Sequence, residues 1–405
     1  MPFDIVIVGA GPAGLAFALS LAGSGLRIAL VERQSAAALA DPAFDGREIA
    51  LTHRSERLLR DLGAWRHLPP ADIAPLREAR VLNGASPAAL TFRPGGRAGA
   101  RPGVPVLGHL VPNHLIRRAL FQAVAALPGI ELLDGVTVTA TQAGPRGATV
   151  TLGDGRVLDT RLVVAADTRF SETRRRAGIA ARMRDFGKVM LVCRMAHTVP
   201  HRQIATEWFD LGQTVAMLPL NGNTASAVLT LPAAEIDTLM ALDAPAFGAA
   251  MTRRLRGRWG AMTLASTRHA YPLVAVYADR FVGKRLALIG DAAVGMHPVT
   301  AHGFNLGLRG AHALAEALRD AAACRQDIAD PALLRRWELG HRRVTRPLYL
   351  ATNATALLYT DSRLPARVLR DAGLRLASRL PGFRSAVAAR LTDAGGGGGL
   401  ATSAP

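Results

Sequence analysis

The feature that most constrains this chain is its beginning, Ile5-Val-Ile-Val-Gly-Ala-Gly-Pro-Ala-Gly14. The apolar run Phe3 to Val8 is too short to cross a membrane and reads as a buried parallel strand. It enters a glycine-rich turn, and a helical pattern follows from Leu15 to Ala22. Gly9 permits the tight turn, Gly11 lets the backbone approach a pyrophosphate, and Gly14 lets the helix pack close to the strand. The helix start around Ala13 then offers free amides and the positive end of its dipole to phosphate oxygens. A second strand, Arg27 to Val31, ends in Glu32-Arg33, where a carboxylate is expected to accept hydrogen bonds from an adenosine ribose. Glycines in an ordinary turn are the competing explanation; strand, loop, helix and acid in the right order favour a dinucleotide.

The remaining pattern predicts an α/β chain, α+β overall. Its nucleotide domain is Rossmann-like, its second domain is an antiparallel β-sheet that holds substrate, and its C-terminus is helical. At 405 residues the chain exceeds what one hydrophobic core usually serves. The nucleotide domain is expected to be discontinuous, over 1–75, 100–183 and 277–330. Between its pieces fall 76–99 and 184–276, where β-rich segments at Val189 to Met195, Val215 to Leu220 and Ala225 to Leu231 are interrupted by one helical insertion, Ala233 to Arg256. Residues 331–394 form the helical end and 395–405 a flexible tail.

Composition excludes several classes. Cys193 and Cys324 alone give neither a disulfide framework nor a metal-ligand spacing, and a reducing cytoplasm fits. The first strand begins at once, so no signal peptide is expected, and no apolar run reaches the ~18 residues of a transmembrane helix. Lys and Arg exceed Asp and Glu by 18. From Pro331 to Ala394 there are twelve Arg against Glu338, Asp361, Asp371 and Asp393. Arg363, Arg367, Arg370, Arg375 and Arg379 alternate there with leucines and valines, as in a basic amphipathic helix. That pattern suits an anionic membrane surface or an acidic partner, and equally a capping helix with its arginines in water. Nucleic acid is not expected, since no helix-turn-helix, RNA-binding or zinc-finger pattern accompanies the charge.

A second stretch, Leu286-Ala-Leu-Ile-Gly-Asp-Ala-Ala-Val-Gly-Met-His-Pro-Val-Thr-Ala-His-Gly-Phe-Asn305, completes the pattern. With the first motif and with Ala166-Asp-Thr-Arg-Phe-Ser171, it resembles the three fingerprints of the class A FAD-dependent monooxygenases, over roughly residues 3 to 385. Thr168 stands where that family usually has Gly. Asp45-Gly-Arg-Glu-Ile-Ala-Leu-Thr-His-Arg-Ser55 and Val111-Pro-Asn-His-Leu-Ile-Arg-Arg118 are similar to the ubiquinone-biosynthesis hydroxylases of the UbiH/UbiF type. Val294 and Ala301-His302-Gly303 favour a bacterial branch of these that acts on demethoxyubiquinol.

The resemblance implies FAD as cofactor, with Gly9, Gly11, Ala13 and Gly14 at the pyrophosphate, Glu32 and Arg33 at the adenosine end, and Arg47 neutralising phosphate. It assigns Gly290 and Asp291 to the ribityl side, counts Asp167 of the second fingerprint among the cofactor-binding residues in the region that touches NAD(P)H in relatives, and places Gly303, Phe304 and Asn305 at the edge of the flavin ring. Asn113 lines the flavin in that reading and caps a helix in the plainer one. His297, Pro298 and His302 line the pocket, the histidines more as hydrogen-bonding walls than as acids or bases. The implied reaction hydroxylates the quinol ring of a polyprenylated ubiquinone precursor, at C5 of demethoxyubiquinol, with O2 through a C4a-hydroperoxyflavin. Electrons come from NAD(P)H or a separate reductase, and other ubiquinone-biosynthesis proteins are candidate partners at the inner membrane. An apolar channel for the tail is expected from Val215, Met217, Leu218, Val228 and Leu229. The alternatives are a hydroxylase of a small soluble aromatic compound and a non-catalytic FAD-bound subunit of a lipid-processing assembly.

Overall fold

The computed structural model describes residues 3–84, 89–94, 106–210, 212–298 and 302–360. The basic pattern from Arg363 to Leu380, the tail and Ala301 lie outside them.

Short, fully apolar strands flanked by glycine turns build the first sheet. Its order is Val282–Gly283, Leu286–Leu288, Val157–Ala165, Phe3–Val8, Ile28–Val31 and Ile130–Leu133. Phe3–Val8 runs parallel to both neighbours, with Val8 opposite Val31 on one side and Ala165 on the other. Ala165 in turn lies opposite Leu288. The carboxyl ends of four parallel strands therefore align, and Gly9, Glu32, Ala166 and Ile289 emerge along one edge. In open α/β sheets that edge is where ligands bind. The strand before Asp167, Val157–Ala165, pairs antiparallel with Ala148–Leu152 at its start.

Two helices cover one side of the sheet. Pro12–Ser20 is small and apolar, and Gly303–Ala323 packs along it. The 30-residue helix Pro331–Thr360 contains Pro347 and lies against Gly303–Ala323. There Trp337 Nε1 donates to the Gly310 carbonyl at 3.0 Å, and a Cβ at Gly310 would run into the His341 ring. The buried Glu338 accepts from the Phe281 amide at 2.8 Å.

The second, nine-stranded sheet is mainly antiparallel and holds its own core. Its spine is the 17-residue strand Ala181–His197, which shifts register between Asp185 and Val189, where Gly187 adopts φ +64°. Alternation sorts its side chains into two faces. Leu191, Trp208, Val215, Met217 and Leu229 point toward Phe247 and Met251. Met190, Val192, Val228 and Leu273 point the other way, with Phe186 and Tyr271. The expected helix Ala233 to Arg256 is two helices, Ala233–Ala241 and Ala244–Arg254. Asp243 breaks it by capping the second helix, its Oδ1 accepting from the Ala246 amide at 2.8 Å, and Pro245 follows at the start.

Candidate functional site

The glycine loop is shaped by contacts that no side chain could share. Gly9 sits at φ +107°, and a Cβ there would stand 2.7 Å from the Ala166 carbonyl oxygen. A Cβ at Gly14 would fall onto the Gly9 carbonyl oxygen. At Gly11, by contrast, a Cβ would meet nothing within 4 Å. The space beside Gly11 is open, as a pyrophosphate running along the backbone requires. Ala13 closes the floor, since a Cβ on Gly290 would come within 2.7 Å of its methyl. The first and third motifs thus interlock.

Glu32 accepts from the Ala10 amide at 2.7 Å and from the Gln34 amide at 2.9 Å, which fixes the carboxylate at the strand end. Arg33 beside it is exposed. Arg47 pairs with Asp45 at 2.6 Å, and its amide hydrogen bond to the same carboxylate closes a tight turn. Asn113 is buried, and its Nδ2 donates to Asp45 Oδ2 at 2.7 Å. The capping alternative for Asn113 fails, because Pro112 occupies the cap and Asn113 is the first helical residue. Asp45 is partly buried, yet Arg47 and Asn113 hold its carboxyl below the usual range. Arg117, on the same helix as Asn113, donates to Gln34 Oε1 at 2.8 Å. Asp45 and Arg117 were not anticipated; both lie inside motifs whose other members drew attention.

The side expected to hold the ribityl chain carries a second ion pair. Arg169 donates through Nε and Nη2 to Asp291 Oδ2 at 3.2 and 2.9 Å, and through Nη1 to the Val274 carbonyl at 2.9 Å. Asp291 thus meets the residue two places after Asp167. Burial pushes the Asp167 carboxyl up, and its Oδ2 accepts from the Thr173 amide at 3.3 Å. Buried Arg174 donates to the carbonyls of Ala292 and Arg169 at 2.9 and 3.2 Å, tying the second motif to the third. The signal for Arg174 was present: Ser171 caps the short helix Glu172–Arg176 by accepting from the Arg174 amide.

The helix Gly303–Ala323 starts at the same place. Its cap position, His302, makes no capping side-chain bond, and no acid occupies the first turn. The open amides and the dipole of 21 aligned residues favour developing negative charge beside Gly303 and Phe304. The Asn305 side chain is used elsewhere: Oδ1 accepts from the Thr52 amide at 3.1 Å and Nδ2 donates to the Ala50 carbonyl at 2.9 Å. That clamp joins the helix start to the strand Glu48–Leu51. His297 is buried, with its ring 4.6 Å from that of Phe186. Burial first, and the Arg169 charge second, lower its pKa to about 4, so the imidazole is neutral at pH 7. Pro298 is exposed beside it.

The second sheet presses its Val192–Val228 face toward this edge. The Tyr271 hydroxyl donates to the Asp45 carbonyl at 2.8 Å, and a Cβ at Gly46 would lie 2.8 Å from Val192 Cγ2. Arg194 bridges the seam to Glu48, at 2.8 Å to a carboxylate with no exposed side-chain surface. Burial pushes the Glu48 carboxyl up to about 7 against the pull of Arg194. The expected channel residues divide. Val215, Met217 and Leu229 are packed in the core on the far face, which corrects that expectation for them. Val228 faces the seam, and Leu218 shares that face, opposite Ser226 and, one strand further, Arg194. Among the described residues no cluster of His, Cys, Asp and Glu could hold a metal ion.

These features fit FAD: a side-chain-free path at Gly11, a fixed carboxylate at the second strand end, arginines at 47 and 117, and an uncapped helix start at the far end. Comparison with known proteins agrees. A family model described as "FAD binding domain" matches residues 2–348. The ubiquinone hydroxylase UbiM of Neisseria meningitidis is 44% identical over 96% of this chain and 84% of its own length. The ubiquinone hydroxylase UbiL of Rhodospirillum rubrum is 34% identical over 93% and 86%. Among solved structures, Pseudomonas aeruginosa PqsL in complex with 2-aminobenzoylacetate superposes with a TM-score of 0.74 at 25% identity, over 93% of this chain and all of that one. The chain belongs to the FAD-dependent monooxygenases, in the family of the ubiquinone hydroxylases, and its cofactor is FAD.

Proposed function

We propose that this enzyme hydroxylates the ring of a polyprenylated ubiquinone precursor, with demethoxyubiquinol, hydroxylated at C5, as its substrate. The observation that carries the reading is the 44% identity to a ubiquinone hydroxylase along nearly the whole chain, joined to an apolar sheet face opposite the flavin edge. Met190, Val192, Val228, Leu273 and the Phe186 ring offer an apolar wall suited to a prenylated ring.

When bound and reduced, the flavin supplies the activated oxygen from O2. The protein supplies place and surroundings. Gly9 to Gly14 seat the pyrophosphate on backbone, Glu32 holds the ribose, and Arg47 with Arg117 offsets phosphate charge. Arg169 orients Asp291 toward the ribityl hydroxyls. The start of the helix at Gly303 stabilises negative charge on the ring edge. His297 and Phe186 close the seam against water, and the neutral imidazole avoids placing a second cation beside Arg169.

Electron supply from NAD(P)H or a separate reductase, and docking on an anionic membrane surface with other ubiquinone-biosynthesis proteins, belong to the same proposal. No described helix is long and apolar enough to cross a membrane. The test uses FAD-loaded protein, NADPH or NADH, oxygen-18 gas and a short-chain demethoxyubiquinol. Incorporation of one labelled oxygen into the ring supports the reading. Reduction and reoxidation that yield only peroxide, while a soluble aromatic acid is hydroxylated, would replace it with the small-aromatic alternative.

A further inference from the structure

A lone carboxyl group stands on the seam face of the second sheet. Glu207 lies in the strand Ile204–Asp210, opposite Ala216 on one side and Val81 on the other. Ala216 is opposite Val228, and Val228 is opposite Val192. Glu207 thus continues the row of side chains that faces the flavin edge, three strand spacings or about 14 Å from Val192. Its neighbours in sequence point away: Trp208 belongs to the core on the far face. Every adjoining position on its own face, Val81, Ala216, Ala205 and Phe209, is apolar.

Among the described residues nothing pairs with this carboxyl and no charged group acts on it. It is half-buried, and burial alone pushes it up to about 8. An unpaired acid on an apolar sheet lowers stability, because the charged form loses its water. Such a group is kept where it meets a partner, and the described residues supply none. Around the seam, by contrast, Glu48 is engaged by Arg194, Asp45 by Arg47 and Asn113, and Asp291 by Arg169.

We infer that Glu207 contacts the substrate, hydrogen-bonding a ring oxygen of the quinol from the sheet side and so selecting rings that carry hydroxyl or methoxyl groups over plain prenyl chains. As a neutral acid it donates one hydrogen bond and accepts another, which matches a hydroxyl beside an ether oxygen. The inference rests on the proposed quinol substrate.

The test compares wild type, Glu207→Gln and Glu207→Leu as FAD-loaded full-length protein. Three quantities are read: affinity for a short-chain demethoxyubiquinol, from the perturbed flavin spectrum, FAD content, and melting temperature. Leu is expected to weaken quinol binding at least ten-fold, while FAD content holds and the melting temperature equals or exceeds that of wild type. Gln, which still donates and accepts, stays within about three-fold. An ionisation near pH 8 in the wild-type binding profile disappears in both variants. Unchanged quinol affinity in the Leu variant overturns the inference, as does a fall in FAD content and melting temperature in both variants, which would make Glu207 structural. If wild type binds no quinol but does bind another phenol, the proposed substrate fails, and the same three proteins on that phenol decide the role of Glu207.

Discussion

The two walls of the seam are made in different ways. The flavin side is backbone: glycines whose missing side chains make room, strand ends in line, and a helix start left uncapped. The facing sheet is side chains alone, and what it presents depends on whether a residue number is odd or even along each strand. A wall made of backbone tolerates almost no substitution at its contact points. A wall made of alternating side chains can be altered one residue at a time, with opposite consequences for adjacent positions.

The largest expected effect is at Gly14. Replacing it with Ala drives a methyl group into the Gly9 carbonyl oxygen and should prevent the loop from forming, seen as loss of soluble, flavin-coloured protein. The same change at Gly11 enters open space. Gly11→Ala should therefore keep the fold and melting behaviour of the flavin-free protein while weakening FAD binding by ten-fold or more, measured by fluorescence titration. If both variants fold and bind equally, the backbone account of this wall is wrong.

On the facing sheet, Leu229→Ala opens a cavity in the core beside Trp208 and Phe247. It should cost about 2–5 kcal/mol in a denaturant titration. Val228→Ala removes a residue from the seam face and should cost less stability but raise KM for the quinol several-fold. Equal stability losses with no change in KM would show that Val228 is ordinary core.

This division explains what could be read in advance. The glycine motifs, Glu32 and the start of the long helix were evident because each is dictated by its immediate neighbours. For Asn113 the cap alternative stayed open because its partner, Asp45, lies 68 positions away. The pairing of Arg169 with Asp291, 122 positions apart, and the closure of two motifs by Arg174 depend on the aligned strand ends. The channel was expected from five apolar residues in two strands, yet hydropathy does not say which face looks at the flavin. Alternation separates the faces, and long-range contacts such as those of Gly46 with Val192, Tyr271 with Asp45 and Arg194 with Glu48 assign them. Glu207 went unnoticed because an acid in a strand reads as solvent-facing.

A smaller effect joins the walls. Asp291→Asn removes the charge partner of Arg169. FAD affinity should fall by about ten-fold with little change in melting temperature, since the pair is partly exposed and such pairs contribute about 1 kcal/mol or less to stability. The weakest is a dependence on pH. The folded state holds His297 near pKa 4, below the ordinary imidazole value of 6.5, so the unfolded chain binds more protons between those values. Stability that is full above about pH 6.5 should decline as pH falls toward 4. His341, also lowered to about 4 by burial, contributes in the same direction. His297→Gln should flatten part of that decline in melting temperature between pH 7 and 4; an unaltered slope would place its ring outside the buried seam.

The most direct measurement is a crystal structure of the FAD-bound protein with a short-chain demethoxyubiquinol. The account predicts the quinol ring in the seam, with the flavin and His297 on one side and the Val192–Val228 face on the other. A ring bound outside the seam, or packed among Trp208, Met217 and Leu229 on the far face, would contradict it.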